Sequence, residues 1–157
     1  MWLEDFFAFC DEDLEGDSRA MMVDLLNFEA DFKTLQVIYN SIGNNDFSNA
    51  IRIVTMRKQL CPSVGYLYPD VQRNIFSADN LDVLLEKIKG VEDYFDLVKA
   101  APDLSKKEQF SFDKPSLDDL MYAAEAKKYA LAFEGQSHYA AFYAYVKLKE
   151  QEIRNLV

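Results

Sequence analysis

Between Ser18 and Ile42, apolar side chains recur at Met21, Leu25, Phe28, Phe32, Leu35, Tyr39 and Ile42. The intervals alternate four and three, which lines these positions up along one stripe of an α-helix and on no single face of a strand. A helix so long and so patterned must pack lengthwise against other helices to hide that stripe. Gly43 is expected to end it, with Asn44 and Asn45 forming the turn beyond.

The flanking segments read the same way. Residues 2–10 form a short helical piece with Leu3, Phe6, Phe7 and Cys10 on one side, interrupted by the acidic "DEDLEGD" at 11–17. A helix over 48–60 runs into the turn "CPSVGYLYP"; "AIRIV" within it alternates like a strand, but is short and precedes a run of helix formers. Asp70 can cap "DVQRNIFSA", Asp79 or Asn80 can cap "LDVLLEKIK", and Gly90 closes the latter. Pro102 stops "VEDYFDLVKAA". Ser116 and Asp119 in "SLDD" have capping-box spacing at the head of a helix reaching about Phe133, and Gly135 marks a turn before a last helix over 136–157.

The predicted fold is therefore all-α, a bundle of long and short helices. Its expected organisation is a helical unit over 1–101, a polar, proline-bracketed linker over 102–115, and a helical hairpin over 116–157 that is truncated at its C-terminus. The two long helices also overlay at a fixed offset. Met21, Leu25, Phe28, Phe32 and Leu35 fall on Phe142, Val146, Lys149, Ile153 and Leu156, while Glu29, Asp31 and Lys33 on the polar side fall on Glu150, Glu152 and Arg154. A repeat or the chance agreement of two amphipathic helices explains this match.

Composition narrows the function. Of 157 residues half are hydrophobic and 14% aromatic, too apolar for disorder. No apolar run approaches the ~20 residues of a membrane-spanning helix. The N-terminus has no basic lead-in and two early acids, unlike a signal peptide. A net charge of −10 argues against nucleic acid and an anionic bilayer as direct partners and suits a basic protein surface better. Cys10 and Cys61 match no metal spacing and read as two reduced thiols of a cytosolic protein.

The last helix carries the densest motif, "KLKEQE" at 147–152. On a helical wheel Phe142, Val146, Ile153 and Leu156 form the expected buried stripe, and Lys149 lies within it. There it can snorkel, or pair with Glu152 one turn on or with an acid from a neighbouring helix. Lys149, Glu150, Glu152, Arg154 and Asn155, with Glu29 and Asp31 at the overlaid helix, are the candidate structural or partner-facing network; a solvated charged face is the plainer explanation. Asp11, Asp13, Glu15 and Gly16 mimic the opening of a calcium-binding loop. Met22 stands where the closing glutamate is needed, so an acidic loop at a helix N-terminus is favoured over a metal site. His138, the lone histidine, joins no zinc or nucleophile set, and Ser137 beside it points elsewhere on a helix. Tyr66 and Tyr68 in "GYLYP" suit either a contact loop or burial. No catalytic residue and no cofactor is expected.

The stretch "FYAYVKLKEQEIRNL" resembles the signature near the C-terminus of the d subunits of vacuolar-type proton ATPases, a family related to the stalk-seat subunit of archaeal rotary ATPases. "NFEADFKTLQVIYNSIG", "WLEDFFAFC", "GYLYP", "VEDYF" and "SLDDLMY" resemble segments of the same family in the same order. Residues 101–115 and "LCPSV" depart from its pattern, which leaves the role of Cys61 open. The resemblance implies a middle-to-C-terminal piece of a funnel-shaped, all-helical subunit of repeated units. It implies a non-catalytic role: seating the central stalk on the proteolipid ring and coupling ATP hydrolysis to proton transport. The partners would be the ring and the stalk, and the place the cytoplasmic face of vacuolar or other acidic-organelle membranes, bound peripherally. A severed piece would be expected to self-associate through uncovered apolar faces. A generic helical-repeat adaptor, a calcium-responsive protein and an enzyme are the competing classes.

Overall fold

The computed structural model describes residues 2–42, 50–103, 115–135 and 139–156. Eight helices occupy them, with no strand among the described residues: α1 (Trp2–Asp13), α2 (Gly16–Ser41), α3 (Ala50–Leu60), α4 (Asp70–Ile75), α5 (Leu81–Ile88), α6 (Glu92–Ala100), α7 (Leu117–Glu134) and α8 (Ala140–Asn155). The expected turn at Gly43, nearly all of the 102–115 linker, Ser137 and His138 lie outside the described residues.

Local chemistry explains the starts of two helices. Asn80 caps α5 by accepting from the Val83 amide, and Ser116 and Asp119 form the expected reciprocal capping box at α7. Asp70 does not cap α4: it is that helix's first residue, and Pro69 precedes it with no side-chain cap bond. Nor does "DEDLEGD" break α1 where expected. The helix continues through Asp13, and the chain reverses over Leu14 and Glu15 into Gly16, whose φ of 55° is the turn's left-handed residue.

Two hydrophobic clusters hold the helices. One joins the C-terminal half of α2 (Phe28, Phe32, Leu35, Ile38, Tyr39) to α4–α6 and to Leu117 and Met121 at the start of α7. The other joins the N-terminal half of α2 (Met22, Leu25, Leu26) to Leu3 and Cys10 of α1, Tyr129 and Ala132 of α7, and Ala140 and Ala144 of α8. The two helices α2 and α7 thus belong to both. The stripe expected on α2 is buried at Leu25, Phe28, Phe32, Leu35, Tyr39 and Ile42, but so are Leu26, Glu29, Ala30, Asp31, Thr34 and Ile38. It is a central helix covered on nearly every side, not a surface helix with one hidden face.

Buried Arg57 fastens α3. Its Nε donates to Ser41 Oγ at 2.8 Å, and its Nη1 to the carbonyls of Phe76 and Ala78 at 2.7 and 2.6 Å. A cation beside the carbonyls that close α4 is favourably placed.

Candidate functional site

The central position of α2 turns two of its acids inward. Glu29 is 3% exposed and Asp31 1%, although both fall on the polar side of the sequence pattern. Two residues apart on a helix they point about 200° from each other. Glu29 therefore meets α8, and Asp31 meets α6 and the 61–69 connection.

Glu29 accepts from Tyr143 Oη at 2.5 Å, from Lys147 Nζ at 3.2 Å and from Lys33 Nζ at 3.1 Å. Burial pushes its carboxyl pKa up, but the Tyr143 hydroxyl and the two ammonium groups outweigh that, leaving it below the ordinary value. Lys147 also reaches the surface acid Glu150 at 3.6 Å. One lysine thus links two of the sequence-derived candidates.

Among the described residues no cation bonds Asp31, although Lys128 acts on it from a distance. Its carboxylate accepts from the amides of Tyr66 (2.9 Å) and Leu67 (3.0 Å) and from Tyr94 Oη (2.9 Å). Burial pushes its pKa up to about 6 against these donors. The approach is so close that a Cβ on Gly65 would stand 2.2 Å from Asp31 Oδ1, and Gly65 has a φ of 116°. This explains the glycine of "GYLYP". Leu67 is buried while Tyr66 and Tyr68 face outward, so the motif is both an anchor and an exposed pair of rings.

A third buried acid, Glu125 of α7, accepts from Tyr129 Oη at 3.0 Å and from Gln151 Nε2 at 2.8 Å. Nearby Asp24 bonds Lys128 at 2.9 Å and Tyr66 Oη at 2.6 Å. Sequence reasoning passed over Glu125, Tyr143, Lys147 and Gln151. The available signal was the i, i+4, i+8 spacing of Tyr143, Lys147 and Gln151, matched by Glu125 and Tyr129 across the hairpin.

The remaining candidates stand apart from this buried set. Lys149 and Glu152 pair at 2.6 Å, with both side chains more than half exposed. Arg154 stacks on the Tyr122 ring, 3.1 Å from its centroid, and Asn155 is exposed at the end of α8.

The stripe expected to bury Lys149 is outward. Phe142, Val146, Ile153 and Leu156 are all more than half exposed, and the buried residues of α8 are Ala140, Ala141 and Ala144. Small side chains let α8 lie close on α7, and that close approach takes precedence over the larger residues on the other face. The calcium-like stretch is helical over its first acids. Asp11 and Asp13 lie in α1, Asp11 is paired to Arg19 at 2.7 Å, and no group of His, Cys, Asp and Glu among the described residues is placed to hold a metal ion. Cys10 and Cys61 are buried free thiols; burial raises both, Cys61 to about 11, which suppresses the reactive thiolate.

The arrangement is one of internal joints: charged and phenolic groups tie α2 to α6, α7 and α8 at depth. The sequence profile of the ATP synthase (C/AC39) subunit family matches residues 1–157. This chain belongs to that family. The "Probable V-type proton ATPase subunit d" of Oryza sativa subsp. japonica is 35% identical over 157 residues, 99% of this chain and 40% of the relative. The "V-type proton ATPase subunit d" of Dictyostelium discoideum is 34% identical over 160 residues, with the same coverage. "V-type proton ATPase subunit d1" of Arabidopsis thaliana is 35% identical over 156 residues, again 99% and 40%. The C/AC39 chain described here thus spans about two fifths of the length of these curated relatives. Its all-helical architecture agrees with the fold expected from the sequence.

Proposed function

We propose that this chain is part of a non-catalytic subunit of the membrane sector of a V-type proton ATPase, one that seats the central stalk on the proteolipid ring and couples ATP hydrolysis to proton transport. The observation that carries the reading is the family match over residues 1–157, together with relatives named as subunit d of that ATPase. The packing supports it. A part that passes torque must resist shear between its helices, and here close-packed cores are pinned by Glu29, Asp31 and Glu125, each bonded to neighbouring helices. Glu150 extends the Glu29 joint to the surface through Lys147, while Lys149, Glu152, Arg154 and Asn155 lie on an exposed flank where a partner could meet them. No helix of the described residues is long and apolar enough to cross a membrane, which suits peripheral attachment at the cytoplasmic face of an acidic organelle.

The test is capture by solubilised proteolipid ring and by isolated central stalk, using the native full-length protein. Retention on both is expected. A folded protein that binds neither, while its deletion leaves organelle acidification intact, would refute the assignment.

A further inference from the structure

The space between α2, α7 and α8 holds two buried acids, and the bases within it are bonded to one of them. Glu29 (3% exposed) and Glu125 (6% exposed) both lie in it. The ammonium groups bonded there, Lys147 from α8 and Lys33 from α2, are both spent on Glu29. Among the described residues the donors to Glu125 are neutral, the Tyr129 hydroxyl of its own helix and the Gln151 amide of α8. Among the described residues the other titratable groups facing it are Glu29, Tyr143, Lys147 and, through Lys147, the surface acid Glu150; Lys128, one turn along α7, is turned away to Asp24.

Gln151 is the informative neighbour, because an amide serves either protonation state. Facing a carboxylate it donates through Nε2. Facing a carboxylic acid it can turn over and accept a hydrogen bond from the acid's O–H through Oε1, while Tyr129 continues to donate to the other oxygen of Glu125. A lysine or arginine at the same place would tolerate only the anion.

We propose that Glu125 is a proton-binding group whose protonation fastens the α7–α8 hairpin more tightly to α2, with Gln151 turning over to bond either form. The proton comes from solvent and ends on a Glu125 carboxyl oxygen. What it removes is the repulsion between two buried negative charges on α7 and α2. Burial and the charge of Glu29 both act to raise the Glu125 carboxyl above its ordinary range, against Tyr129, Gln151 and the weaker influence of Lys147. A group raised in the folded state stabilises it as pH falls, so the joint is tighter in mild acid and looser once Glu125 ionises. The proposal stands on this chain's own geometry and does not depend on the assembly it joins.

The experiment compares urea unfolding of the wild type and Glu125→Gln from pH 8 to pH 5. Wild type should gain on the variant as pH falls, the ratio of their unfolding constants changing up to tenfold per pH unit within the titration window. At pH 8 the variant should be at least as stable. Parallel profiles, or a variant weaker by the same factor throughout, would overturn the idea. Should Glu125→Gln fail to fold, infrared spectroscopy of the wild type and Glu29→Gln decides. A protonated-carboxyl band that moves to lower pH in Glu29→Gln supports the assignment, since Asp31 lies on the opposite side of α2. A band that stays in place, or no band, refutes it.

Discussion

Asp31 and Gly65 show how one side chain can dictate another at a distance in sequence. The carboxylate occupies the space where a side chain at position 65 would begin. Gly65→Ala is expected to cost about 2–4 kcal/mol, because the new methyl displaces the acid and the backbone keeps an unfavourable positive φ; a lowered urea midpoint at unchanged m-value is the readout. The pH behaviour of Asp31 follows from its folded pKa of about 6 against the ordinary 3.8 of a free aspartate. The folded state holds a proton that the unfolded chain releases between those values. Stability from this residue therefore falls as pH rises from about 4 to 6 and is level above, by about 3 kcal/mol in all. Wild-type stability minus that of Asp31→Asn should fall by that amount as pH rises over the interval and then stay constant. Glu29 has the opposite sign: held below its ordinary pKa, it stabilises at neutral pH and loses that contribution in acid. Glu29→Ala would leave the buried Tyr143 hydroxyl without its acceptor and Lys147 with the surface acid Glu150 alone of its two acids, at about 3 kcal/mol, measured by the same denaturation.

At the level of elements, α7 and α8 separate what the pattern of residues tells from what packing decides. Capping signals were legible because they are local: Ser116 and Asp119 need only each other, and Ser116→Ala should lower thermal stability by about 1 kcal/mol. The existence of every helix was legible for the same reason, through spacing. Which face of α8 turns inward was not. Phe142, Val146, Ile153 and Leu156 make the better wheel, but Ala140, Ala141 and Ala144 permit the closer approach to α7. Ala144→Leu is therefore expected to cost about 1–3 kcal/mol through overpacking. Ile153→Ser should stay within about 0.5 kcal/mol of wild type, a contrast that the wheel alone would reverse. The burial of the α2 acids escaped for a related reason. Nothing in residues 18–42 announces that neighbours surround α2 on all sides, so Glu29 and Asp31 stand as network candidates with no sign of their depth.

For the molecule as a whole, the decisive feature is that α2 and α7 each contribute to both hydrophobic clusters. Neither cluster can come apart while those helices remain whole. Unfolding should be a single transition, with the fluorescence of Trp2, the lone tryptophan, which sits beside Phe6 on α1, following the same curve as far-ultraviolet helicity. Two resolved steps would mean that the halves behave independently.

Sharing α2 has a mechanical corollary. A structure assembled from two bodies meeting at a seam yields first at that seam, where only side chains resist sliding. Here the span from the α4–α6 end to the α1–α8 end is bridged by an unbroken backbone spiral, Gly16 to Ser41. A twist applied at one end travels along a continuous rod, and the compliance of the whole is set by how far that rod bends.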